Sequence, residues 1–123
     1  MIVYRTFRIH ASRFLPKLKE GHICKNMHGH TFNITIYIKG DIQENGFVMD
    51  FYDVDTIFNQ YIHSKIDHKI LNDIKGLENP TSEILCKWIW KNIIPYIPNL
   101  YKVKVSEDCG TGITYKGEWI IFL

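Results

Sequence analysis

The segment Thr31–Lys39, "TFNITIYIK", constrains the fold more than any other stretch of the chain. Ile34, Ile36 and Ile38 recur every second residue, with Asn33, Thr35, Tyr37 and Lys39 between them. A period of two puts the isoleucines on one face and the polar residues on the other, which suits a half-buried strand. "VYRTFRI", Val3–Ile9, alternates in the same way. Strands with one apolar face need a covering layer. "DFYDVDTIFNQYIHSKI" supplies one: Asp50 can cap a helix whose inner face carries Val54, Ile57, Phe58, Tyr61 and Ile62. Thr81, after Pro80, can cap a second helix with Ile84, Leu85, Trp88, Ile89 and Ile93 facing inward, and Pro95 and Pro98 end it.

The remaining segments complete the order. "DIQENGFVMDF" holds an Asn-Gly turn signal and predicts a short strand after it. "DHKILNDIKGLENP" reads as a structured loop, "YKVKVSE" as a strand, "DCGTG" as a turn and "ITYKGEWIIFL" as a last strand. Strands, then two helices, then strands predict the α+β class: an antiparallel sheet with both helices on one face. At 123 residues the chain is long enough for one domain, 1–123, and too short for two. The apolar tail Trp119–Leu123 is expected to cover a sheet edge or face, within the chain or between chains, so an oligomer is expected.

Charge and cysteine usage narrow the function classes. A formal net charge of +2 and no dense Lys/Arg stripe argue against nucleic acid. No apolar run reaches membrane-spanning length, and "MIVYRTFRIH" lacks the apolar core of an export signal. Three cysteines, an odd number, predict reduced thiols in a cytoplasmic protein.

Four places could carry chemistry. His28 and His30, two apart at the entry to a strand, point to one side with Gly29 between them. They are either a Zn²⁺ chelate or two polar residues at a strand end. Cys24 lies in the polar loop "EGHICKNMHGH", where Lys25 and a nearby metal would favour the thiolate, so it is a candidate proton-transferring group. Asp67 and His68 are an imidazole and its orienting carboxylate, or simply a polar helix terminus. Glu107 shares strand parity with Tyr101, Val103 and Val105, so its carboxylate points to the apolar side. There it either pairs with a basic residue or binds the N–H edge of a heterocycle such as a pterin or guanine.

"CKNMHGH", "DH" at 67–68, "LENPTSE" at 77–83 and "SEDCGTG" at 106–112, in this order and spacing, resemble the 6-pyruvoyltetrahydropterin synthase family from about Phe7 to Glu118. The resemblance implies a tunnelling fold (T-fold): a four-stranded antiparallel sheet with two helices on one face, assembled as a homo-oligomeric barrel with active sites between subunits. It implies that His28 and His30 bind zinc and that Cys24 is a catalytic proton donor and acceptor. Asp67 and His68 would be a second acid–base pair reaching in from a neighbouring subunit. Glu107 would anchor the pterin's 2-amino and N3 edge, and Thr81 would contact the pterin.

The likeness is greatest to the carboxy branch of the family. That branch implies a lyase converting 7,8-dihydroneopterin triphosphate to 6-carboxytetrahydropterin, acetaldehyde and triphosphate in queuosine (7-deazaguanine) biosynthesis. A 6-pyruvoyl product and a non-catalytic pterin-binding homologue are the alternatives.

One position departs from the family. Its third zinc histidine, in a Phe-x-x-x-Ala-Ala-His pattern, falls on Arg13. Arginine cannot ligate a metal, and its charge opposes one nearby. His22 could complete the site. His10 could also do so, against its strand parity. Otherwise the metal is weak or absent, and Arg13 could then serve the substrate's phosphates.

Overall fold

Pairing of the two alternating strands decides which side of the sheet becomes the core. The computed structural model describes residues 1–118. β1 (Ile2–Arg13), β2 (His28–Lys39), β3 (Leu100–Glu107) and β4 (Gly112–Tyr115) form an antiparallel sheet in the order β1-β2-β3-β4. Ile9 lies opposite Phe32, Ala11 opposite His30 and Arg13 opposite His28. On the other side of β2, Phe32 lies opposite Glu107, Ile34 opposite Val105 and Ile36 opposite Val103. All of these share one face, because directly opposed residues of a pleated sheet project to the same side. Its middle is fully buried at Ile9, Phe32, Ile34, Ile36, Val103 and Val105. The same face runs out at one end of the sheet into Arg13, His28, His30 and Glu107.

Two helices cover this face. α1 begins as Phe51–Phe58, with Asp50 Oδ1 accepting the Tyr52 N–H at 2.9 Å, passes through a π-helical stretch Asn59–His63 and ends in a last α turn Ser64–Ile66. Its buried residues are Val54, Phe58, Ile62 and Ile66, each four apart. In a regular α-helix such a row drifts by about 40° per step; the wider π turn takes up the drift and keeps the row on the sheet. Phe58 stacks on Phe7, with ring centroids 3.8 Å apart. α2 (Ser82–Ile93) is capped by Thr81, whose Oγ1 accepts the Ile84 N–H at 3.1 Å.

The inner face of α2 is rotated from the expected one. Leu85, Cys86, Ile89 and Ile93 are buried, while Ile84 is exposed and Trp88 half-buried. The Cys86 thiol donates to the Val103 carbonyl at 3.4 Å, which seats that side of the helix on β3. Burial pushes the Cys86 thiol up to about 12, so it stays protonated as a core group.

Two expected strands differ. No strand follows the turn at Glu44–Gly46: the Gln43 N–H donates to the Phe47 carbonyl at 2.8 Å, closing the loop on itself, and Val48 drops into the core. The last strand ends at Tyr115, before Gly117 turns the chain at φ 68°. The apolar tail at 119–123 lies outside the described residues. The α+β sheet-and-helix arrangement is the one expected, and among the described residues no helix is long and apolar enough to cross a membrane.

Candidate active site

The polar end of the covered face is built by strand parity. Arg13 closes β1, Glu107 closes β3, and His28 and His30 open β2. The Arg13 and Glu107 side chains are only 7% and 9% exposed, which would be untenable unpaired. They meet directly: Arg13 Nη2 donates to Glu107 Oε1 at 2.5 Å. Arg13 Nη1 donates to the Pro80 carbonyl at 3.1 Å and to Ser82 Oγ at 3.4 Å. Ser82 Oγ donates to the same Glu107 Oε1 at 2.9 Å. The first turn of α2 therefore holds both charges in place.

Burial raises the Glu107 carboxyl, but the Ser82 hydrogen bond and the Arg13 charge outweigh it and hold it below the ordinary value. It is an ionised acceptor at neutral pH. Oε1 already accepts twice, whereas Oε2 accepts only the Cys109 thiol at 3.6 Å and lies 3.7 Å from His30 Nδ1. Oε2 is thus the less occupied of the two oxygens. A cleft of about 380 Å³ opens here, lined by Arg13, Thr81, Ser82, Glu107 and Thr111 among others. Its size is that of a small-molecule pocket.

The two histidines lie together, with ring centroids 4.4 Å apart. His28 Nδ1 donates to the Asn26 carbonyl at 2.6 Å, which leaves its Nε2 lone pair free. His30 Nε2 is buried without a partner. Burial pushes the His30 imidazole down, the Arg13 charge adds to this, and it stays neutral. Two adjacent imidazoles suit a metal; the rest of the donor set does not. The third position holds a buried guanidinium. His10 points to the opposite face, its ring bonded to Thr31 Oγ1 at 3.0 Å, and exposed His22 caps its own turn through the Cys24 N–H at 3.1 Å. Among the described residues no three His, Cys, Asp or Glu side chains are grouped to hold a metal ion. The residues present do not fit a three-ligand zinc centre.

Asp67 and His68 form a second cluster at the β1 edge. Asp67 Oδ1 accepts the His10 backbone N–H at 3.0 Å, and Oδ2 takes His68 Nδ1 at 2.7 Å. His63, at the end of the π-helical stretch, brings Nε2 to 3.3 Å from that same Oδ2. Burial raises the Asp67 carboxyl, but these hydrogen bonds and the two imidazoles bring it below its ordinary value. A groove of about 460 Å³ at the β1 edge is lined by His10, Ser12, His30, Thr31, His68 and Lys69 among others.

Cys24 occupies a single 3₁₀ turn, Ile23–Lys25, half-buried. Its carbonyl accepts the Leu15 N–H at 2.8 Å, tying the loop back to the end of β1. Its thiol hydrogen-bonds none of the other candidates. Ser82 and His63 are not named by the sequence analysis, and Arg13 is named there only as the replacement for a zinc histidine and a group that could serve the phosphates, not as the partner of Glu107. Nothing in the sequence marks the π turn that aims His63.

A four-stranded antiparallel sheet with two helices on one face, ending in a carboxylate, a His-x-His pair and a helix N-terminus, defines a T-fold-like α+β protein. A family model described as "6-pyruvoyl tetrahydropterin synthase" matches residues 2–118. The 6-carboxy-5,6,7,8-tetrahydropterin synthase of Synechocystis sp. is 35% identical over 93% of this chain and 92% of its own length. The 6-pyruvoyl tetrahydrobiopterin synthase of Dictyostelium discoideum is 34% identical over 77% and 74%. In structure, the 6-pyruvoyl tetrahydropterin synthase of Caenorhabditis elegans superposes with a TM-score of 0.86 at 22% identity, covering 96% of both chains. The chain belongs to the 6-pyruvoyl tetrahydropterin synthase family.

Proposed function

We propose that the protein is a lyase of the 6-carboxytetrahydropterin synthase type, acting on 7,8-dihydroneopterin triphosphate. With one water consumed, the products are 6-carboxytetrahydropterin, acetaldehyde and triphosphate. The observation that carries this reading is the Glu107 carboxylate, ionised and buried at the sheet end on the lining of a cleft of small-ligand size, with Oε2 the less occupied of its oxygens. A pterin offers an amino group and a ring N–H side by side, which an ionised carboxylate accepts. Thr81 lies on the same cleft wall. The likeness to the Synechocystis enzyme over nearly the whole chain supports the carboxy branch.

The chemistry needs protons taken from side-chain carbons and returned elsewhere, with triphosphate expelled by elimination and a two-carbon fragment lost by carbon–carbon cleavage. Asp67–His68 is one proton mover: the carboxylate fixes the imidazole through Nδ1 and leaves Nε2 to exchange protons. Cys24 is the other. The exposure of His68 at the β1 edge, 76% for its side chain, supports a site completed by a second copy, in a homo-oligomer with sites between subunits.

Incubation with 7,8-dihydroneopterin triphosphate tests the reading, with acetaldehyde and triphosphate measured together. Equimolar release of both, abolished by Cys24→Ala, is expected. Triphosphate without acetaldehyde would instead support a 6-pyruvoyl product, the reading favoured by the Dictyostelium relative. Pterin binding with neither product would make the chain a binding protein.

A further inference from the structure

The misfit between the donor set and a metal has a specific origin in Arg13. Its guanidinium is buried and held from several sides. It is held by Glu107 Oε1, the Pro80 carbonyl and Ser82 Oγ, and it lies over the Phe32 ring at 5.2 Å from the centroid. These contacts come from β3, from the segment before α2, from α2 and from β2, so the group cannot swing away without vacating four elements. Nor can it lose its charge, because a guanidinium stays protonated at any physiological pH. Directly across the strand pair sits His28, with His30 beside it.

A divalent ion bound by these two imidazoles would sit beside a fixed, poorly hydrated cation that faces His28 across the strands and already acts on His30, and like charges repel strongly where water is excluded. Glu107 is already committed through Oε1 to Arg13 and Ser82. A metal drawing on its other oxygen would compete with the buried guanidinium for the charge of one carboxylate. Pairing Arg13 with Glu107 and binding a metal at His28–His30 are therefore competing uses of one site. The buried hydrogen bonds favour the first.

We propose that the guanidinium of Arg13 is the resident cation of this cleft, in place of a divalent metal. Pairing with Arg13 also fixes Glu107 with Oε1 occupied and Oε2 held only by the long Cys109 thiol contact. The cleft so built takes a ligand with an N–H edge for Glu107 and an oxygen that tolerates a neighbouring guanidinium. Position 13 then acts as a selector: arginine gives the ion pair, and histidine would give a third imidazole across from His28. The ion pair is built from this chain's own residues and stands whichever pterin reaction is catalysed.

Cobalt(II) titration of the full-length chain, followed by visible absorption and calorimetry, tests it without any substrate. The wild type is expected to lack a saturable site tighter than about 100 μM, and zinc should leave its thermal midpoint unchanged. Arg13→His is expected to bind cobalt about 100-fold more tightly or better, with the intense d–d bands of tetrahedral coordination. If Arg13→His does not fold because Glu107 loses its partner, Arg13→His/Glu107→Gln removes the orphaned charge and carries the same expectation. A wild type that takes up one cobalt per chain at micromolar affinity, and loses it in His28→Ala, would overturn the proposal. So would a folded position-13 variant that gains no cobalt affinity. Because no turnover is read, failure of the proposed reaction and failure of this inference are separate results.

Discussion

His10 and His68 are joined twice: the His68 backbone N–H donates to the His10 carbonyl at 2.6 Å, and their rings meet edge-on with centroids 5.9 Å apart. Reaching that carbonyl holds His68 at φ 57°, the left-handed region that non-glycine residues seldom adopt. Strain of this kind is kept where a side chain is needed. His68→Gly relieves the strain but adds unfolded-state entropy, so folding stability is expected to stay within about 1 kcal/mol of wild type. Turnover is expected to fall by at least about 100-fold, as for loss of a general acid–base group. Urea denaturation alongside the acetaldehyde assay checks both; a large stability loss with turnover intact would make His68 structural.

Glu107→Gln leaves the Arg13 guanidinium buried without its counter-ion. The expected cost is about 3–5 kcal/mol, read from the urea midpoint at constant slope. Arg13→Met/Glu107→Gln, which removes both charges, is expected to recover a large part of that loss. A double variant no more stable than Glu107→Gln would show that the pair is not coupled.

Acid is expected to weaken the fold in two stages. His30 titrates below its ordinary 6.5 when folded, because burial and then Arg13 oppose its charging. Its contribution is complete above 6.5 and is lost as pH falls below that, since the unfolded chain binds the proton first. Glu107 and Asp67 also sit below their ordinary 4.5 and 3.8, so their contributions are present above those values and lost on further acidification through the folded ones. Denaturation midpoints between pH 8 and pH 3 check this. His30→Gln is expected to remove the upper stage and leave the lower.

His63 approaches the same Asp67 oxygen as His68 from a ring that is 44% exposed. His63→Gln is expected to change stability by less than about 0.5 kcal/mol, the usual range for an exposed ion pair. Without that nearby cation Asp67 is easier to protonate, so the acid limb of the kcat/KM profile is expected to move to higher pH. An unmoved limb would leave His63 outside the proton-transfer machinery.

Local periodicity and capping were legible in the sequence. Alternating isoleucines in β2, Asp50 and Thr81 as caps, and the parity that turns Glu107 inward all follow from backbone geometry that any chain shares. The four strands and two helices could be read for that reason, and so could the placement of Glu107 at the sheet end. What a buried group meets across the fold follows from register and helix rotation instead. Arg13 reaches Glu107 only because β2 pairs with both of their strands and α2 lands with Ser82 between them. His63 reaches Asp67 through a π turn whose wider step keeps Ile62 and Ile66 on the core. The sequence by itself determined which strand residues face inward; only the tertiary structure decided that the inward arginine and glutamate neutralise each other beside two histidines, because pairing of buried charges is set by distances between segments far apart in the chain.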